Sequence, residues 1–198
     1  MPKHCLGISR RELLRTGALS AGATVLPGAP AAAAIRAPAP AGDDVGYLVF
    51  GASAEGVLAR LFTNALALGG AWTALERRRL REAHSVHRRN VDRINAALPD
   101  EDRITLDLFA RTVPVRSRHA AVATGRRLET LAAGTYLSGI TNTTDPGSRQ
   151  LLGRLLSAAS RNEALLTGWS GGALGGLTAP ISLDTAGAAL DRYLEDPS

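Results

Sequence analysis

The stretch LREAHSVHRRNVDRINAAL at residues 80–98 decides the fold of this chain, because its two faces have opposite character. Its aliphatic residues recur at the spacing of one face of an α-helix, and they are Leu80, Val91, Ile94 and Leu98. Its charged residues share the opposite face, and they are Arg81, Arg88, Arg89, Asp92 and Arg93. The stretch therefore predicts an amphipathic helix with one side in a core and one side in solvent.

Two histidines occupy places on the apolar face where aliphatic residues would be expected. His84 and His87 stand one helical turn apart, in the pattern His-x-x-His. Inward imidazoles are either hydrogen-bonded core residues or metal ligands. The pair alone leaves both interpretations open, so the polar groups of the other helices must decide between them.

The rest of the chain predicts three more long helices. Apolar residues at helical spacing indicate helices at 46–68, 72–98, 116–140 and 146–169, of which the second contains the histidine pair. Glycine pairs and prolines separate these segments. Shorter helices are expected at 102–111 and at 184–194, and no stretch has the alternation of a strand. Four long helices joined by breaks predict an all-α fold, specifically a four-helix bundle.

Each predicted long helix places at least one ionisable group on its apolar stripe. These groups are Glu55, His84, His87, Glu129 and Glu163. Burying a charged group without a partner costs several kcal/mol, which favours an arrangement in which the groups meet. Carboxylates and imidazoles are ligands of iron, manganese and zinc, so the set is a candidate metal site. Mutual proton sharing would satisfy the same groups without a metal.

Residues 1–34 have the organisation of a cleaved export signal. The stretch SRRELLR at 9–15 resembles the twin-arginine motif, and a weakly apolar run follows at 16–26. Small residues then indicate cleavage near Ala34, and an Ala/Pro-rich linker follows at 35–44. The apolar run is too short for a stable membrane-spanning helix. We therefore expect the twin-arginine machinery to export the protein across the cytoplasmic membrane, to the periplasm, cell wall or extracellular space.

Removal of the signal changes the charge and the cysteine content. The full chain has 23 Lys+Arg and 18 Asp+Glu. Loss of four basic residues and one acidic residue with the signal leaves 19 against 17, a charge near +2. Such a small excess, with few aromatic residues for base stacking, excludes a nucleic-acid partner. Cys5, the only cysteine, is also lost, so the mature protein is expected to fold without disulfides.

The export signal and the ionisable groups on four apolar stripes together resemble the ferritin-like superfamily, in particular secreted bacterial ferritin-like domain proteins with twin-arginine signals. That family has a Glu on the first helix and Glu-x-x-His on the second, and repeats the scheme on the third and fourth. Three positions match the scheme, and they are Glu55, His87 and Glu129. Three positions depart from it, and they are His84, Ser160 and Glu163. The resemblance therefore implies a partly degenerate site, to which diiron activity is not carried over.

These observations lead to one preferred function and one alternative. We expect a ferritin-like bundle at 45–170, followed by a Gly-rich connector and a short helix at 171–198. In the preferred interpretation, the five ionisable groups bind an Fe, Mn or Zn ion in the core. The alternative is a metal-free scaffold that acts as an interaction or structural protein of the cell envelope. Enzymatic activity and homodimer formation stay open, no catalytic or organic-cofactor residue is assigned, and no transmembrane helix is expected in the mature chain.

Overall fold

The computed structural model describes residues 42–110, 112–172 and 178–194, and within these ranges the fold is all-α, as predicted. The helices are α1 (Asp43–Ala67), α2 (Ala74–Asn95), α3 (Arg118–Asn142), α4 (Pro146–Trp169) and α5 (Leu183–Leu194). No strand is assigned in the described part of the chain. The helix predicted at 102–111 is wrong, because this segment forms separate 3-10 turns, Asp100–Asp102 and Leu106–Phe109. The predicted signal at 1–34, most of the linker and residues 173–177 of the connector lie outside the described ranges.

Side-chain caps fix where three of the long helices begin. Thr73 and Glu76 form a reciprocal capping box at the start of α2, in which the Glu76 backbone N–H donates to Thr73 Oγ1 at 3.2 Å. The Ser117 and Asp145 side chains accept backbone hydrogen bonds at the starts of α3 and α4. Pro146 then occupies the first turn of α4, where no backbone donor is needed. These local signals explain why the predicted helix starts agree with the structure to within about three residues.

The four long helices form two antiparallel hairpins joined by one long connection. Short turns reverse the chain between α1 and α2 and again between α3 and α4, whereas residues 96–117 link α2 to α3. The start of α1 lies beside the end of α3, because Tyr47 Oη and Ser138 Oγ are 3.2 Å apart. The main packing partners are α1 with α2, α3 with α4, and α1 with α3. This arrangement leaves α1 central and gives α2 and α4 a looser contact with each other.

A buried carboxylate ties the start of α1 to the start of α4. Asp44 accepts hydrogen bonds from the backbone N–H groups of Thr144 and Asp145, both at 2.8 Å, and from the Thr144 hydroxyl at 3.1 Å. These are charge-assisted hydrogen bonds, each stronger than a neutral one. They hold the second hairpin in register with the first helix.

The apolar residues of α1 lie in the centre of one shared core. Leu48, Val57 and Leu58 are fully buried, and the core continues into all the other helices. By length and composition α1 is the one described helix apolar enough to cross a membrane, but 72% of its most apolar window is buried inside the fold. The burial explains its composition without a membrane, because a helix surrounded by other helices is apolar on most of its surface.

Candidate functional site: a buried carboxylate–imidazole cluster

Six polar side chains from four helices meet in the middle of the apolar core. We call this set the core cluster, and its members are Glu55 from α1, His87 and Asn90 from α2, Glu129 and Tyr136 from α3, and Asn162 from α4. All six are buried, and both carboxylates and the imidazole are at most 1% exposed. Such a concentration of buried polar groups requires that each find a partner.

The imidazole of His87 lies between the two carboxylates. Its Nδ1 is 2.7 Å from Glu55 Oε2, and its Nε2 is 3.1 Å from Glu129 Oε1. The ring also stacks on Phe62, with centroids 5.2 Å apart and planes inclined by 10°. One face of the ring therefore packs on apolar carbon while both nitrogens point at oxygen ligands.

Glu55 is the fully satisfied carboxylate of the cluster. Its Oε2 receives hydrogen bonds from His87 Nδ1 and from Asn90 Nδ2, the latter at 3.0 Å, and its Oε1 receives one from the Tyr136 hydroxyl at 2.9 Å. Three donors from two neighbouring helices fix its position.

Glu129 is the less satisfied carboxylate. It is completely buried, and neither oxygen has a hydrogen-bond partner of good geometry in the described residues. The 3.1 Å approach to His87 Nε2 is an ion-pair distance with poor hydrogen-bond angles. The Asn162 amide nitrogen lies 3.1 Å from the same Nε2, and turning that amide would place its oxygen there instead. Glu129 thus depends on His87 for the charge that offsets its burial.

The electrostatics of the cluster favour retention of protons. Burial alone lowers the pKa of His87, but the charges of Glu129 and Glu55 and their hydrogen bonds overcome this effect and raise the pKa to about 10. Burial also raises the pKa of Glu129, against the opposing charge of His87. Burial and the charge of Glu55 raise the pKa of Tyr136 well above its ordinary value. At neutral pH His87 is therefore an imidazolium and Tyr136 a neutral hydroxyl donor.

Three of the five residues proposed from sequence as metal ligands come together, and two do not. Glu55, His87 and Glu129 lie in the core cluster. His84 is half-buried at the edge of the stripe, where burial, with the charges of Arg88 and His87, lowers its pKa. Glu163 is also half-buried and accepts a hydrogen bond from the Thr130 hydroxyl at 3.0 Å.

The helix rotations account for these differences. The buried stripe of α2 consists of Leu80, Ala83, His87, Asn90, Val91 and Ile94, so His84 falls beside it. The stripe of α4 includes Leu155, Ala159, Asn162 and Leu166, so Glu163 is displaced by one residue from the inward position. One residue corresponds to about 100° of rotation around a helix. If the rotation of a helix is misjudged by one position, a residue beside the core is taken for one that points into it.

Sequence reasoning missed the two asparagines and the hydroxyl of Tyr136. Asn90 and Asn162 interrupt otherwise apolar stripes, which is a detectable signal, since an amide in a core needs a partner. Tyr136 falls at helical spacing with the apolar residues of the third helix, which indicates only that its ring is buried. Its hydroxyl donates to Glu55, and this contact is set by the tertiary packing of α1 against α3.

The donors in this cluster do not fit the two-metal centre that the ferritin-like resemblance implies. That scheme needs four carboxylates and two imidazoles, whereas the cluster has two carboxylates and one imidazole. The imidazole lies between the carboxylates, and a protonated ring cannot ligate a metal. No group of three or more His, Cys, Asp or Glu side chains able to hold a metal ion is found among the described residues.

Comparison of the chain with protein-family models, with curated proteins and with solved structures gives no match. The assignment of a role to the core cluster therefore rests on its geometry and chemistry.

Proposed function

We propose that this protein is an exported, ferritin-like helical scaffold whose two core carboxylates share one protonated histidine, and that it acts by binding at the cell envelope. The observation that carries this proposal is the position of His87 between Glu55 and Glu129. An imidazolium in that position offsets the charge of one carboxylate and is close to both, while burial raises the pKa of Glu129 and favours its protonated form. The metal-free alternative that the sequence left open is thus the one that the geometry supports best.

The helix order supports the ferritin-like part of the proposal. Two antiparallel hairpins with a long connection between the second and third helices are typical of ferritin-like bundles. Glu55 on α1 and Glu129 on α3 then occupy the two single-glutamate positions of the scheme. The buried pairs His87-x-x-Asn90 on α2 and Ala159-x-x-Asn162 on α4 favour a different alignment with the scheme from the one drawn from the sequence. In it His87 stands at the glutamate position of α2 rather than at the histidine position. In this alignment, most of the metal ligands are replaced by amides, an alanine and a histidine.

A single metal ion at the same residues is the second candidate, and Glu129 favours it. Both oxygens of this buried carboxylate lack a good hydrogen bond among the described residues, which a cation bound by Glu129 and by His87 Nε2 would correct. An Fe, Mn or Zn ion would have to displace the proton on His87, so its binding would strengthen as the pH rises toward 10.

Metal analysis separates the two candidates. We expect protein purified from the exported fraction to contain no stoichiometric metal, and its melting temperature to be unchanged by a chelator. Titration with Zn(II), Mn(II) or Fe(II) at pH 7 should release no proton. The rise in melting temperature on adding the metal should be no larger for wild type than for a His87→Gln variant. One bound metal per chain, lost together with thermal stability on chelation, would show that the second candidate is right.

The export part of the proposal is tested separately. Replacing Arg10 and Arg11 by Lys removes the paired arginines while preserving charge, so the precursor should remain in the cytoplasm. The matched control replaces Arg15 by Lys, which leaves the pair intact and should permit export. Unchanged export of the Arg10→Lys/Arg11→Lys variant would refute the twin-arginine route.

A further inference from the structure

The contact between α2 and α4 is loose and leaves an open groove on the surface. One part of this groove is a cavity of about 190 Å³. Four arginines line this cavity, and they are Arg89 and Arg93 from α2 with Arg154 and Arg161 from α4. Each pair falls on one helical face, since the spacings are four and seven residues. We call these residues the arginine groove.

No carboxylate balances the charge of the arginine groove. The lining contains no Asp or Glu, and none of its four arginines lies within 4 Å of a carboxylate in the described part of the chain. Some arginines elsewhere in the described residues do have a carboxylate within 4 Å, as Arg103 has Asp100 at 2.7 Å. Like charges held around one concavity repel each other, and a bound anion relieves that cost.

We propose that the arginine groove binds a small polyanion built of phosphoryl groups. A cavity of this volume has room for about six water molecules, which suits a short phosphoryl chain or a phospholipid headgroup rather than a folded partner. Guanidinium groups match phosphoryl oxygens because they donate two parallel hydrogen bonds to one group. This inference deepens the proposed function and rests on it, because it takes from that proposal that the protein acts by binding and not by metal chemistry.

A second cavity extends the groove and shares Val86 and Arg161 with the first. It holds about 550 Å³ and is lined by Arg79, Glu82 and Asn162 among others. The Glu82 carboxylate is already paired with Arg79 at 2.8 Å, so the shared Arg161 is the one unpaired charge among the residues that line this part. The highly charged end of a ligand therefore lies at the four-arginine cavity, and any less polar part extends toward this one.

The test is a calorimetric titration of the purified protein with sodium tripolyphosphate at low salt. A variant carrying Arg154→Gln and Arg161→Gln should bind at least about tenfold more weakly, because it loses two charged donors. The matched control carries Arg81→Gln and Arg127→Gln, which are exposed, lie outside the cavity and change the net charge equally. The control should bind like wild type. All four replaced residues are exposed, so circular dichroism should show the same fold in each protein.

Sedimentation with vesicles identifies the source of the phosphoryl group. Binding to phosphatidylglycerol vesicles but not to phosphatidylcholine vesicles, with the same dependence on Arg154 and Arg161, assigns the groove to a lipid headgroup. Binding to tripolyphosphate alone assigns it to a free polyanion. No binding to either probe, or equal weakening by the control variant, overturns the proposal. The metal content of the same preparations shows independently whether the proposed function has failed.

Discussion

His87→Ala tests whether the imidazolium holds the core together. The substitution removes the one positive charge that the described residues place within 4 Å of Glu55 and Glu129, and it leaves the two carboxylates buried without it. It also removes the ring that stacks on Phe62. Both effects lower the free energy of unfolding, so the variant should be much less stable than wild type.

The magnitude follows from the burial of the three groups, each at most 1% exposed. Removing one partner of a buried ion pair costs about 3–5 kcal/mol, because the remaining charge has no compensation. This loss is a large part of the total stability of a domain of this size, which is about 5–15 kcal/mol. It corresponds to a fall in melting temperature on the order of 10–20 °C. The variant should recover part of this loss at acid pH, because Glu129, whose pKa burial raises, then takes up a proton.

The assay is urea unfolding at pH 7 followed by circular dichroism, with His84→Ala as the matched control. His84 lies on the same helix but outside the core cluster, so its replacement should cost at most about 1 kcal/mol. Adding Glu129→Gln to His87→Ala should cost less than the sum of the two single changes, because it removes a carboxylate that has lost its partner. Equal losses for the two histidine variants, or a loss below about 1 kcal/mol for His87→Ala, would refute the reasoning.

Three further predictions concern pH, a buried hydroxyl and two glycines. Because the pKa of His87 is raised from 6.5 to about 10, the stability it contributes is complete below pH 6.5 and lost as the pH rises through 10. Urea midpoints should therefore fall on the alkaline side, and a flat profile would contradict this. Tyr136→Phe removes a buried hydrogen bond to a carboxylate and should cost about 1.5–3 kcal/mol by denaturant unfolding, whereas no change would show that the bond is dispensable. Gly56→Ala would press a methyl group into the Phe109 ring and should lower the free energy of unfolding by about 1–3 kcal/mol. Gly153→Ala has open space around it and should raise that free energy by about 0.5–1 kcal/mol. A higher melting temperature for Gly56→Ala than for Gly153→Ala would contradict the packing.

The sequence by itself determined the helices and most of their ends. Apolar spacing predicted all four long helices, and the α4 bounds agree at both ends, because Asp145-Pro146 starts a helix and glycines stop it through local chemistry. The same local signals do not extend to residues 96–117. There the chain forms 3-10 turns whose shape depends on contacts with α1, such as the hydrogen bond from Asn64 to Val113 O at 2.8 Å.

For the site, the sequence identified the residue types but only part of the set. Glu55, His87 and Glu129 were recognisable as ionisable groups on apolar stripes, and the structure brings these three together. His84 and Glu163 satisfied the same periodicity and lie beside the cluster. The periodicity of a helix defines a face more than 100° wide, which is broader than the single direction a contact requires.

Only the tertiary structure decided which residues of each helix point into the core and which side chains they contact there. The rotation of α2 and α4 is set by how their side chains pack against α1 and α3, and these contacts join residues that are far apart in the sequence. That rotation places Asn162 rather than Glu163 beside His87 and puts the imidazole between two carboxylates. It also leaves the arginine groove open between α2 and α4. The sequence shows which side chains are polar, and the packing of the four helices determines which of them form ion pairs and hydrogen bonds with each other.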